Sequence, residues 1–310
     1  MIVIQPGIRG VYLTEFKEMF KILEKKNIGP DIWQMKVHAP RVAKYAMPGQ
    51  FVIVITDKKG ERIPLTICDY NRKEGWVIIV LQVVGFSTSR MVALNEGEAF
   101  SDFVGPLGQP SLFINEDREE LTKKRFIFIA GGVGAAPVYP QLKWLAENAV
   151  KPDLIIGARS KEQLILLDDL KEVSSNVYIA TNDGSVGDKG FVTDVLKKLV
   201  EEKPGYYDEC IAIGPMIMMK SVAEMTRGLG LKTIVSLNTL MIDGTGMCGA
   251  CRVTVGGKVQ FTCVDGPEFD GHQVNFEEAM RRQGMYRKEE TESHKCNIDK
   301  AVEDSHNKKA

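Results

Sequence analysis

From Met1 to about Phe113 the apolar positions fall in short β-type runs separated by turns. Trp33-Gln-Met-Lys-Val37 alternates, whereas Gln50-Phe-Val-Ile-Val-Ile55 and Trp76-Val-Ile-Ile-Val-Leu-Gln-Val-Val84 are nearly continuous, and Gly and Pro punctuate the gaps. Regular short strands of this kind predict a small antiparallel barrel. Between about Asp117 and Leu237 the pattern changes to buried-type strands alternating with amphipathic helices, which predicts a parallel sheet covered on both faces. Its strands are Phe126-Ile-Phe-Ile-Ala130, Leu154-Ile-Ile-Gly157, Val177-Tyr-Ile-Ala180 and Cys210-Ile-Ala-Ile213. The chain thus divides into a barrel over 1–115, an α/β domain over 116–237, a small cysteine-bearing module over 238–285 and a polar tail over 286–310. The tail has too little apolar surface to offset the entropy of ordering, so it is expected to be mobile unless a partner holds it.

Composition narrows the class. A length of 310 residues suffices for two domains and a small third module. The net charge of −1 offers no general attraction for nucleic acid or an anionic membrane. The apolar run from Trp76 to Phe86 is too short to span a bilayer, and the N-terminus lacks the basic-then-apolar pattern of a secretion signal. A cytoplasmic protein with no membrane span is expected. Of six cysteines, three are clustered, which fits a reducing compartment better than a disulfide framework; Cys68, Cys210 and Cys296 are expected as free thiols.

The clustered cysteines lie in Asp243-Gly-Thr-Gly-Met-Cys248-Gly-Ala-Cys251, followed after eleven residues by Cys263. A plant-type iron–sulfur loop has a first cysteine, four residues, a C-x2-C pair and a later fourth thiolate. Here Asp243 occupies the first position. A carboxylate supplies the charge that iron needs, as a harder donor than thiolate. The intervening glycines free the backbone to turn and to bring amides near cluster sulfurs. Structural zinc on three cysteines and one further ligand is the alternative. Asp265, Glu268 and Asp270 beside His272 read as a solvated loop, with a docking face as the second reading.

The strand ends carry the remaining chemistry. Phe126–Ala130 opens into Gly131-Gly-Val-Gly-Ala-Ala-Pro137, a strand, glycine loop and helix start where a dinucleotide diphosphate can approach the main chain. Arg159, the Thr181-Asn-Asp183-Gly184 turn and Gly214-Pro215-Met216 follow later strands, where open α/β sheets bind ligands. Arg159 and Lys161 can hold a ribose 2′-phosphate or serve as surface charges. No G-x4-G-K-[ST] is present, so a P-loop nucleotide triphosphatase is unsupported. On the barrel, Pro48-Gly-Gln-Phe51 turns into a strand, Arg62-Ile-Pro-Leu-Thr-Ile67 places a cation and a hydroxyl around a proline, and Gly85-Phe-Ser-Thr88 offers amides and hydroxyls to a diphosphate.

Read in order, R-x-P-x-T, G-x-S-T, GGVGAAP and the cysteine loop resemble the ferredoxin-NADP reductase superfamily. The likeness over about residues 1 to 285 is to electron-transfer subunits with a C-terminal two-iron cluster. These include the subunits of dihydroorotate dehydrogenase and the small subunits of NADH-dependent reduced ferredoxin:NADP oxidoreductase, also described as sulfide dehydrogenase. The leading Asp243 and Cys263-Val-Asp-Gly-Pro-Glu-Phe-Asp-Gly are similar to the second group. The resemblance implies an FAD-binding barrel, an NAD(H)-binding domain and a [2Fe-2S] module. It puts Thr66 at the flavin N5 edge as the catalytic position, Pro64 and Leu65 along the ring, and Arg62, Val83, Gly85, Ser87 and Thr88 around the rest of FAD. The superfamily's R-P-x-S arginine falls at Ile63, one residue after Arg62. Gly131, Gly132, Gly134, Pro137, Arg159, Asp183, Gly214, Pro215 and Met216 border NAD(H), and Asp243, Cys248, Cys251 and Cys263 hold the cluster. Implied with them is a larger partner subunit carrying FAD and [4Fe-4S] clusters, through which ferredoxin is served. The rival readings are a dihydroorotate-type assembly, a flavin redox sensor and a zinc-stabilised binding module.

Overall fold

The structure, a computed structural model, describes residues 19–58 and 60–286. Cys296 and the tail expectation beyond Tyr286 lie outside the described residues. Strands β1 (Ile22–Gly29), β2 (Ile32–His38), β3 (Phe51–Ile55), β4 (Arg62–Asn71), β5 (Trp76–Gln82) and β6 (Asp102–Leu107) form one sheet in the order β1-β2-β5-β4-β3-β6. Every neighbouring pair is antiparallel. Ile22 N donates to Glu98 O (2.8 Å) and Phe100 N to Phe20 O (3.1 Å), which brings the start of the first strand against the lead-in to the last. The sheet closes into the expected barrel, with helices α1 (Pro40–Tyr45) and α2 (Phe86–Ala93) at its ends. Strand β1 had no apolar signature, because of Ile-Leu-Glu-Lys-Lys-Asn-Ile-Gly only Ile22 is fully buried. Its conformation comes from cross-strand pairing with β2.

The second sheet contains β7 (Phe126–Gly131), β8 (Asp153–Ala158), β9 (Val177–Thr181), β10 (Asp188–Lys189), β11 (Glu209–Ile213) and β12 (Lys232–Ser236), all parallel. Alternate residues of its continuous apolar strands face opposite ways. Phe128, Ile156 and Ile211 pack under α4 (Ala135–Glu147) and α5 (Leu167–Val173), after the short α3 (Arg118–Lys123). Ile129, Ile155 and Ala212 pack under α6 (Val192–Glu202) and α7 (Met216–Leu229). The strand order β10-β9-β8-β7-β11-β12 reverses direction between β7 and β11, and ligands of such sheets bind at that switch point.

The cysteine module adds a hairpin, β13 (Arg252–Val255) and β14 (Lys258–Phe261), then β15 (Glu268–Asp270) and α8 (Phe276–Gln283). Strand β15 runs antiparallel to β12 and becomes the seventh strand of the nucleotide-type sheet. Ile32, Cys68 and Val80 of the barrel share a core with the sheet, and Val253, Phe269 and Phe276 of the module share another. Cys68 and Cys210 are buried, and burial raises both thiols. Among the described residues no helix is long and apolar enough to cross a membrane.

One acidic residue departs from expectation. Glu268 belongs to neither a solvated loop nor a docking face; it is only 7% exposed. Pairing of Glu268 with Ser236 draws it into the sheet, where its carboxylate accepts from Ser111 Oγ (2.7 Å), Gln141 Nε2 (3.0 Å) and Leu112 N (3.4 Å). Gly49, at φ +87°, brings the Pro48-Gly49 turn so close that a Cβ would stand 2.8 Å from Ser111 N and 3.1 Å from Glu268 Oε1. Barrel, sheet and module therefore meet on this one side chain.

Burial lifts the Glu268 carboxyl from its ordinary 4.5 to about 7, against the opposing hydrogen bonds. Because the folded state binds the proton more tightly, the stability cost is absent below about pH 4.5, grows as pH rises, and is complete above about pH 7. Glu268→Gln keeps an acceptor and removes the charge. It is expected to flatten the fall of stability between these limits and raise stability at alkaline pH, by on the order of 3 kcal/mol. Urea unfolding at several pH values measures this; an unchanged pH profile would contradict it.

Candidate redox site

A cleft of about 1300 Å³ opens between the barrel and the carboxyl ends of the parallel strands. Pro64, Leu65 and Thr66 of β4 line one wall; Gly131, Gly132, Gly134 and Pro137 line the facing wall with Gly214, Pro215, Met216 and Arg159. The two strand ends at the switch point touch: a Cβ on Gly214 would stand 3.0 Å from Gly131 Cα. A Cβ on Gly132 meets nothing within 4 Å, so open space faces the start of α4. Arg159 lines the cleft with no side-chain partner among the described residues. The cleft thus has one wall of main chain and small residues, suited to a diphosphate, and another suited to a flat ring.

The remaining expected cofactor residues lie outside that lining. Gly85 precedes α2 with nothing within 4 Å of a Cβ, a second open helix start that leaves room for a diphosphate. Thr88 Oγ1 accepts from Val84 N (3.0 Å) and Gly85 N (3.2 Å) and so shapes this turn, while Ser87 Oγ donates to Glu61. Val83 N donates to Asp31 O (2.8 Å). Asp183 accepts from Ser185 N (2.9 Å) and Ser185 Oγ (2.7 Å), which lowers its carboxyl; its neighbour Asn182 lines the cleft instead. Arg62 is engaged elsewhere. Its Nε donates to Ile242 O (2.7 Å) and a terminal nitrogen to Asp243 O (3.4 Å), so it clasps the cysteine loop.

Sequence reasoning missed the wall contributed by the module: Asn238, Thr239, Met241, Met280 and Gln283. Thr239 is 7% exposed, and among the described residues its hydroxyl has no hydrogen-bond partner. No motif marks these residues, because the fold alone returns them to the cleft.

The cysteine loop packs on the outer face of the same barrel strands. Cys251 and Cys263, both 1% exposed, sit among Phe51, Ile53 and Met241, with their sulfurs 3.3 Å apart. Gly244, at φ +75°, leaves so little room that a Cβ would stand 2.7 Å from Leu107 Cδ1 and 2.8 Å from Ile53 Cδ1. Burial, with Cys251 adding to it, pushes the Cys263 thiol up to about 12. A bound metal ion favours the deprotonated form of such thiols. Asp243 accepts from Thr245 N (2.9 Å) and Cys248 N (2.8 Å), and these amides hold its carboxyl below the ordinary range. Among the described residues no three His, Cys, Asp or Glu side chains stand in finished coordinating positions. Cys248 is exposed at the loop's lip. Two buried thiols, one exposed thiol and one anionic oxygen fit the donor types of an iron–sulfur centre.

Barrel, doubly covered sheet and cysteine loop together define a ferredoxin-reductase-like oxidoreductase with an added iron–sulfur module. Residues 128–224 match the oxidoreductase NAD-binding domain, and residues 238–275 match the iron-sulfur cluster binding domain of dihydroorotate dehydrogenase B. An uncharacterized protein of Clostridium beijerinckii is 58% identical over 88% of this chain and 92% of its own length. A homolog of the dihydroorotate dehydrogenase B (NAD(+)) electron transfer subunit from Thermotoga maritima is 44% identical over 87% of this chain and 92% of its own. The chain belongs to the family of these electron-transfer subunits and their homologues. It is also similar to a chain of the NADH-dependent reduced ferredoxin-NADP oxidoreductase structure, at 42% identity and a TM-score of 0.82, covering 90% of this chain and 98% of that one. The protein is an oxidoreductase subunit that works with NAD(H), FAD and an iron–sulfur cluster.

Arg62→Ala separates two roles. With the guanidinium removed from the Ile242 and Asp243 carbonyls, cluster loss during anaerobic gel filtration is expected to accelerate roughly tenfold, the worth of one charge-assisted hydrogen bond, while FAD content holds. FAD loss with iron intact would instead assign Arg62 to the flavin phosphate.

Proposed function

We propose that this chain is the small subunit of an electron-bifurcating NADH-dependent ferredoxin:NADP oxidoreductase, moving electrons between NAD(H), FAD and a [2Fe-2S] cluster. The observation that carries this reading is the near full-length likeness to that enzyme's solved chain, whose study concerns flavin-based electron bifurcation. Flavin supplies the conversion between hydride pairs and the single electrons an iron–sulfur centre accepts. The chain's own residues align and insulate. Pro64 and Leu65 form the ring wall, Thr66 presents its hydroxyl to the reacting edge, and the glycines at 131, 132 and 134 admit the nicotinamide diphosphate. Gly85, Ser87 and Thr88 shape the turn for the flavin diphosphate, Arg62 holds the cluster loop, and Asp243, Cys248, Cys251 and Cys263 ligate the cluster. Gly214, Pro215 and Met216 close the nicotinamide side of the crevice.

Because relatives are electron transfer subunits, a hetero-oligomer is the working form, and we assign the partner as a larger cytoplasmic subunit with FAD and [4Fe-4S] centres. The dihydroorotate-type assembly is the second reading, favoured by relatives such as the dihydroorotate dehydrogenase B (NAD(+)) electron transfer subunit of Fusobacterium nucleatum, 33% identical over 96% of its length. Co-purification from the native source decides. A larger partner rich in iron supports the first reading; an FMN-bearing barrel partner of roughly 30 kDa supports the second.

Two variants test the site. Asp243→Cys is expected to retain the cluster while altering its EPR spectrum, and an unchanged spectrum would remove Asp243 from the ligand set. Thr66→Val is expected to slow NADH bleaching of the flavin about 10- to 100-fold with FAD content unchanged, the cost of imperfect alignment. An undiminished rate would show that the hydroxyl has no part in it.

A further inference from the structure

Glu268 is a buried carboxylate that the electron route does not use. Beyond its bonds to Ser111, Leu112 and Gln141, it has an unusual neighbour: the other end of the Gln141 amide, Oε1, is buried without a hydrogen-bond partner among the described residues. A carboxylate offers that oxygen nothing. A carboxylic acid can offer a proton: with the amide turned over, the Glu268 O–H donates to Gln141 Oε1, and Nε2 takes the position where Oε1 stood. The pocket therefore contains an acceptor for one added proton.

Its position links both redox centres. Gly49 and Pro267, adjoining the carboxyl, line the cleft beside Phe51, which pairs with Thr66 across β3 and β4. In the segment leading from Cys263, Val264 O accepts from Gln109 Nε2 (2.7 Å) and Gly266 O from Gln109 N (2.7 Å), two residues before Ser111. We propose that Glu268 is a positioning residue that takes up one proton from solvent when electrons arrive on the adjacent centres and returns it when they leave. The electrons come from NADH, the carboxylate becomes a carboxylic acid, and no bond to a cofactor is made or broken.

The surrounding charges suit this role. Glu209 opposes a second negative charge, while its own carboxylate is bound by Lys124 Nζ (3.3 Å) and Lys232 Nζ (3.0 Å). On α4, Lys143 is bound to Asp69 (2.8 Å); on β15, Asp270 accepts from His272 N (2.9 Å). The 47–50 turn and the 108–112 linker carry no ionisable side chain. Among the described groups packed around Glu268 the cations are already paired with carboxylates, so the carboxyl's own protonation is what answers a negative charge gained on its side of the centres, while Arg62 stands on the cluster loop.

The inference rests on the proposed function, since both centres must be bound. The test is an EPR-monitored redox titration of the cluster between about pH 6 and pH 9 on the chain with its partner, after flavin, iron and sulfide are quantified. Wild type is expected to show a potential that falls with rising pH above a break near neutrality. In Glu268→Gln the break disappears and the potential stays at the wild-type low-pH value. Redox difference infrared spectra should show a carboxylic C=O band on reduction that this variant lacks. Should Glu268→Gln misfold, Gln141→Leu removes both the donor to the carboxylate and the acceptor for the acid, and is expected to displace the break from its wild-type pH. An unchanged pH dependence in Glu268→Gln, or an unmoved break in Gln141→Leu, overturns the proposal. A preparation without flavin or cluster instead defeats the proposed function.

Discussion

The cysteine loop lies directly against the barrel strands that form the cleft wall, and the rest of the architecture depends on that contact. Gly244 has no room for a side chain against Ile53 and Leu107, and Cys251 and Cys263 share a core with Phe51 and Ile53. Phe51 and Ile53 pair across to Thr66 and Pro64 on the neighbouring strand, about 5 Å away. The buried thiols and the cleft-lining residues therefore sit side by side on one face of a single pair of strands. Were the loop displaced from them, the cleft and the cysteines would be separate devices.

Two further ties keep that contact rigid. Arg62, at the start of β4, holds the carbonyls of Ile242 and Asp243, so the strand carrying Thr66 also restrains the loop. Glu268 restrains the other end of the module by joining β15 to the interdomain linker and α4. Strand β15 makes the module part of the nucleotide-type sheet. Rigid placement suits electron transfer, in which alignment and the surrounding electrostatics are what the protein contributes.

Much of this was legible from residue patterns because it rests on local rules. Continuous apolar strands such as Phe126–Gly131 report double-sided burial, and the Asp243–Cys251 spacing reports clustered ligands. What depended on tertiary pairing was hidden. Glu268 looks solvated in sequence and becomes buried through its place in the sheet. Arg62 looks like a phosphate ligand and reaches the loop instead, because that loop, some 180 residues later, folds back against β4. Thr239 belongs to no motif, and only the return of the chain across the cleft gives it significance.

The most direct measurement follows flavin and cluster absorbance together after rapid mixing of the isolated, fully loaded chain with NADH. If the loop and the cleft wall are neighbours on one face of the same strand pair, flavin bleaching is followed by cluster reduction within this chain alone. Bleaching of the flavin with a cluster that stays oxidised until a partner is added would contradict the account.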